Sequence, residues 1–265
     1  MPNTKLTRDN LKNHFHYNKT AYIIIAIVAI LVGDLLFSVT AYRAPNERNI
    51  EVELVSTFAE TEELIPHEQA ALEALTAYEI ERDRAAGIDV EAKGYEPQLT
   101  DVNFLLLSYD PNGSGDEAYY GSQKFLVTMA AQEGDIFLVN RDLMEGLVHD
   151  GLAVDLTPYI ESGVINPGDR DLSRVTFNEY VDVEAGEKPT GNTCVYALQA
   201  ETLTGLWDVA QFPITDKYMV MMAYSANQDT AAAMMQWMID EFEPDEAANA
   251  DEAGEPAEPA GEKAE

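Results

Sequence analysis

Hydrophobic and polar positions change period several times along the chain, and the longest apolar stretch comes first. From Ala21 to Thr40 the sequence AYIIIAIVAILVGDLLFSVT carries one charged residue, Asp34, and is long enough for a helix to cross a hydrocarbon layer of ~30 Å. Lys5, Arg8, Lys12 and Lys19 precede it. This bias predicts a cytoplasmic N-terminus over 1–20, a transmembrane helix over 21–42 and export of everything beyond. Tyr17, Tyr22 and Tyr42 stand where interfacial aromatics belong. The alternative is a cleaved signal peptide, with Val39 and Ala41 as the small residues before the cut, but the run exceeds the ~7–15 residues of an apolar signal core. Asp34 lies toward the outer end of the run, where an acid is accommodated near the interface or pairs with another helix.

After a linker over 43–49, the pattern turns to short alternating and continuous apolar runs separated by helical periods, giving an exported domain over 50–242. Ile50–Ser56 alternates as a half-buried strand does. The segment 66–86 places Ala71, Leu72, Leu75 and Tyr78 on one helical face, and Gly87 ends it. Val102–Tyr109 reads as a buried strand rather than a solvated edge. A helix over Tyr119–Gln132, a strand over Asp135–Asn140 and a helix over Arg141–His149 follow. Strand candidates recur at Thr193–Leu198 and Tyr218–Tyr224, and a last helix over Thr230–Phe242 aligns Ala231, Met234, Met235, Met238, Ile239 and Phe242 as core. Alternation of strands and helices predicts an α/β domain, a mixed or parallel sheet covered on both faces by helices. The strands near 50, 102 and 135 should share that sheet, and Thr193–Leu198 should join it. Beyond Glu243 the acids, alanines and prolines cannot offset their ordering entropy by burial, so 243–265 is expected to be a disordered acidic tail.

Charge narrows the partners. With 16 Lys+Arg against 48 Asp+Glu, the formal net charge is −32, which repels phosphate backbones and excludes nucleic acid. Cys194 is the single cysteine, so internal disulfides, CxxC pairs and cysteine-based zinc sites are excluded, and the thiol is expected to be a small buried hydrophobe. His14, His16, His67 and His149 are scattered, and no nucleophile elbow, phosphate-binding glycine loop, HExxH or dinucleotide fingerprint is present. No cofactor and no metal is expected. Asp110, Asn112, Ser114 and Asp116 imitate the start of a calcium loop, but Gly121 stands where a bidentate Glu should be and Glu117 where a hydrophobic residue should be. A turn rich in Asn, Gly and Ser is the preferred reading.

The stretch Ala130–Ile160, AAQEGDIFLVNRDLMEGLVHDGLAVDLTPYI, resembles the first lobe of extracellular solute-binding proteins of ABC transporters. The likeness rests on Gly134-Asp135, Gly151 and Asp155-Leu156-Thr157-Pro158-Tyr159-Ile160. Val195-Tyr196-Ala197-Leu198 is similar to the family's re-entering strand, and Ser225–Ile239 to its later Asn-rich turn and helix. The resemblance implies a periplasmic-binding-protein-like fold. Between Ile165 and Thr193 there are only about thirty residues, too few for a second lobe, so a single lobe is expected. It implies a membrane-anchored, extracellular binding or interaction module, not an enzyme, with the bilayer, a permease or other membrane protein, and a small solute as partners. A ligand on an open α/β sheet sits outside the carboxyl ends of the strands, which selects Ser56, Thr57, Asp110, Asn112, Asn140, Arg141 and Trp207. A surface assembly protein without a small ligand is the alternative. An acidic hydrolase, which needs two convergent carboxylates about 5–9.5 Å apart, is the third reading.

Overall fold

The computed structural model describes residues 19–40, 44–109, 113, 115–178 and 191–244. The segment up to Asn18, expected from sequence to be cytoplasmic, the positions Asp110, Asn112 and Ser114, and the expected acidic tail from Asp245 lie outside them. The chain divides into two compact units, Met1–Arg43 and Ala44–Glu265. The first contains helix α1, Lys19–Thr40. Its side chains are described without a break over 21–33, about 20 Å of helix. Among the described residues no helix is long and apolar enough to cross a membrane.

In the second unit the expected alternation builds one mixed sheet. β1 (Asn49–Ser56), β2 (Asp101–Ser108), β3 (Ile136–Asn140), β6 (Leu198–Gln199) and β7 (Lys217–Met221) lie in the order β2-β1-β3-β7-β6. β1 runs parallel to β2 and β3, whereas β7 is antiparallel to β3 and to β6. The chain moves outward from β1 to β2 through α2 (Ile65–Ala85) and then crosses back to β3 through α3 (Asp116–Ala131). Opposite crossings put the helices on opposite faces. On one face Ile50, Val52 and Leu54 meet Ala71 and Leu75 of α2, Leu206 of α6 (Thr204–Ala210), and the stripe Met234, Met235, Met238 and Phe242 of α7 (Gln228–Phe242). On the other, Phe137, Val139 and Val220 meet Met144, Leu147 and Val148 of α4 (Arg141–His149), with Phe125 and Met129 of α3 packed alongside. The short α5 (Thr157–Glu161) follows α4. Cys194 is buried.

Three strand expectations need correction. Thr193–Leu198 does not join the sheet as a whole: β5 (Thr193–Val195) pairs antiparallel with β4 (Thr176–Asn178) in a separate ribbon, and only β6 enters the main sheet. The Val195 N–H and C=O are taken by Thr157 Oγ1 and the Leu156 N–H, so the chain bends at Tyr196 before pairing again. An apolar run reports burial and cannot name its partner strand.

β2 is an edge strand, not an interior one, with Leu105 40 % exposed. Its run is apolar because α2 and α3 cover its faces, while its open edge is blunted by side chains: Glu68 accepts the Phe104 N–H at 2.8 Å and Lys124 donates to the Leu106 carbonyl at 3.0 Å. α3 comes so close that a Cβ on Gly121 would collide with the Ser108 carbonyl oxygen.

β1 alternates in sequence yet is buried on both faces, and Glu53, expected to meet solvent, is 5 % exposed beneath α3.

Candidate functional site

The parallel strands stop together at their carboxyl ends, and there the sheet comes apart. β1 pairs with β3 only through Leu54↔Leu138, although both strands continue, to Ser56 and Asn140. The strand order reverses at this β1/β3 junction, the place where open α/β sheets leave a crevice. Lys217 enters from β7 and its Nζ donates to the Val55 carbonyl oxygen at 2.5 Å, with Phe212 5.4 Å away as a cation–π partner. Burial pushes the Lys217 ammonium below its ordinary value, against the opposing pull of Asp216.

Asn140 ends β3 and caps α4, its Oδ1 accepting the Leu143 N–H at 3.1 Å. The first-turn N–H groups of Arg141 and Asp142 have no intrahelical acceptor. Register sets Val139 opposite Tyr218 and Asn140 opposite Lys217, which brings Arg141 above the Tyr218 ring, Cζ 5.9 Å from its centroid. Tyr218 is fully buried. The Tyr218 hydroxyl faces the guanidinium and, by hydrogen bonding, raises the hold of Arg141 on its proton, while Tyr218 Oη and Arg141 Nε reach no partner at full hydrogen-bond geometry among the described residues. Glu145 Oε1 stops 4.0 Å from that Nε. A buried polar group left unmet costs about 1–3 kcal/mol, so two adjacent ones mark an unusual place in an otherwise satisfied core.

Of the residues selected from sequence, Ser56 and Asn140 end β1 and β3 at this junction, and Thr57 and Arg141 follow them in the chain. Ser56 is buried, and its backbone carbonyl accepts the Tyr109 N–H. Trp207 is half exposed on α6, a helix tied to the loop after β1 by Glu60 N–H to the Ala210 carbonyl and Gln211 to Glu60. Asp110 and Asn112 fall outside the described residues, as do Asp110, Asn112 and Ser114 of the calcium pattern; Asp116 opens α3. Among the described residues no three metal-ligating side chains cluster. Lys217 and Tyr218 were missed, because only the antiparallel direction of β7 delivers its amino end to the carboxyl edge of β1 and β3.

The amino edge of the same sheet is acidic and closed. Asp135 accepts from the Glu51 N–H at 2.9 Å and from Ser225 Oγ at 2.6 Å. Glu51 in turn accepts from Asn49 and the Gly134 N–H. Desolvation raises the pKa of Glu51 and of Asp135, and lifts Glu53 to about 7, with Glu51 and Glu133 adding to the shift and Lys124 opposing it. Gly134, at φ 85°, admits Phe137 and Glu53: a Cβ would stand 2.7 Å from the ring and 2.8 Å from Glu53 Cγ. The cavity between Glu51, Asp135 and Tyr224 holds about 20 Å³, room for one water and not for a sugar.

A depression of about 780 Å³ lies elsewhere, around Asp169, Arg170, Asp171, Glu201, Asp240 and Glu243. Its one cation is committed: Arg170 donates to Gln199 O, Thr202 Oγ1 and Glu243 Oε2, tying the 166–171 loop to β6 and the end of α7. A scan against protein-family models gives no match, and a search of curated proteins gives no significant match.

Proposed function

We propose that this chain is a membrane-anchored, extracellular binding module: a single lobe of the solute-binding-protein type, without catalytic activity, that works beside a permease or a surface complex. The observation that carries the binding role is the opened β1/β3 seam. Ser56 and Asn140 end their strands there, Lys217 reaches the Val55 carbonyl oxygen, and Arg141 lies over Tyr218 on the α4 face, where Arg141 Nε and Tyr218 Oη have no hydrogen-bond partner among the described residues. The anchor is read from the apolar sequence 21–40 and the basic residues Lys5, Arg8, Lys12 and Lys19 before it.

Two experiments test the proposal. A panel of neutral and charged solutes should contain one that raises the melting temperature of the chain saturably, since a ligand of the folded state alone stabilises it; a panel with no such member would count against solute binding. Protease added to intact protoplasts should remove the part beyond residue 50, and its survival until lysis would reverse the proposed orientation.

A surface assembly role is the second reading, favoured by one observation. Tyr119, Tyr120, Leu126 and Val127 form an apolar strip on α3, each more than half exposed. Cross-linking from Tyr120 to a protein neighbour, without any solute response, would favour it.

A further inference from the structure

The mouth of the opened seam points to a definite ligand chemistry, and the inference rests on the binding role proposed above. Three kinds of donor meet within two register positions. The guanidinium of Arg141 is 36 % exposed at its side chain while its Nε is buried without a hydrogen-bond partner. The Tyr218 hydroxyl lies beneath it, fully buried and also without a partner. The first turn of the nine-residue helix α4 presents the N–H groups of Arg141 and Asp142, since Asn140 satisfies only that of Leu143. Among the described residues the guanidinium faces only the Tyr218 hydroxyl, and Glu145 stays 4.0 Å from Arg141 Nε.

A planar anion with two oxygens answers all three: one carboxylate can take a guanidinium edge and still accept from a hydroxyl or a backbone N–H. The surroundings limit its charge. Glu145 and Asp216 act on the cation, and the domain as a whole is acidic, so a dianion meets more repulsion than a monoanion. We infer that the Arg141–Tyr218 corner at the start of α4 is a binding site for the carboxylate of a small monoanionic solute. The exposed nitrogens of Arg141 make the first contact. Turning the guanidinium off the Tyr218 ring then brings acceptors to both Arg141 Nε and Tyr218 Oη.

The test uses the full-length chain in detergent, melted at pH 7.5 in sodium acetate or sodium phosphate, with chloride holding ionic strength constant. Acetate should raise the melting temperature saturably, by about 3 °C at ten times its half-saturating concentration, and phosphate should act more weakly. Tyr218→Phe should weaken the acetate response at least tenfold while melting no lower than the wild type without acetate, because the change deletes an unmet hydroxyl. Arg141→Lys should lose the response although it keeps the charge, and Arg141→Gln should lose it as well. An undiminished response in Tyr218→Phe or Arg141→Lys, a stronger response to phosphate, or no saturable response to either salt would overturn the inference. If both salts are inert while a neutral solute shifts the melt, the carboxylate site falls and the binding role stands.

Discussion

The two edges of one sheet are built from the same strands and carry opposite chemistry. At the amino edge, Asn49, Glu51 and Asp135 bond to one another or to neighbouring backbone. Close by, Glu79 accepts the Leu99 N–H at 2.9 Å and Thr230 Oγ1 at 3.1 Å, joining α2, the entry to β2, and α7. At the carboxyl edge the strands diverge, a lysine reaches in to a bare carbonyl, and two donors stay unmet. Polar groups at the first edge serve the fold, so removing them exposes unsatisfied partners. Those at the second lower the stability of the protein, a cost that the proposed binding role would account for.

The sharpest way to break this contrast is to truncate the tie at the amino edge. Glu79→Ala strips acceptors from two buried donors, so urea denaturation should give a loss of about 3–4 kcal/mol. A loss well under 1 kcal/mol would mean that edge is not tied as described.

The pH dependence should come next in size. Glu53 binds its proton more tightly in the folded chain, at about 7 against an ordinary 4.5. The folded state therefore gains most below pH 4.5, and that stability drains away as pH rises through 7, by about 3 kcal/mol for this group. Glu53→Gln should melt higher than wild type at pH 8 and flatten the profile between pH 5 and 8. A remaining slope of the same sign should come from Glu51 and Asp135, which are also raised. A wild type that gains stability from pH 5 to 8 would contradict the burial argument.

The smallest change belongs to the carboxyl edge. Lys217→Met loses one hydrogen bond to Val55 and sheds a desolvated ammonium, opposing effects that should leave stability within about 1 kcal/mol of wild type by the same denaturation.

How far the sequence foretold this depends on which physical signal each residue carries. Helical periodicity located α2 and α7 within a residue or two, because apolar stripes must face a core. Asn140 and Arg141 were legible as a cap and helix start after an apolar strand. Glu53 was not: IEVELVS reads as a half-solvated strand, and nothing local shows that α3 will cross over it. Lys217 and Tyr218 were hidden for a related reason. A lysine opening an apolar run looks like a solvated strand end, and only the antiparallel pairing with β3 carries it to the seam. β2 was misread as interior since helices on both faces make an edge strand as apolar as a central one.

Amide hydrogen exchange, followed residue by residue with and without a solute that raises the melting temperature, tests the contrast between the edges most directly. In the free protein, the first-turn amides of Arg141 and Asp142 should exchange at least about tenfold faster than those of Glu51, Leu99 and Asp135, as partnerless and bonded N–H groups do. The solute should slow exchange at 56–58, 140–143 and 217–218 and leave the amino edge unchanged. Protection centred instead on Glu51 and Asp135, or on the exposed strip of α3, would contradict the account.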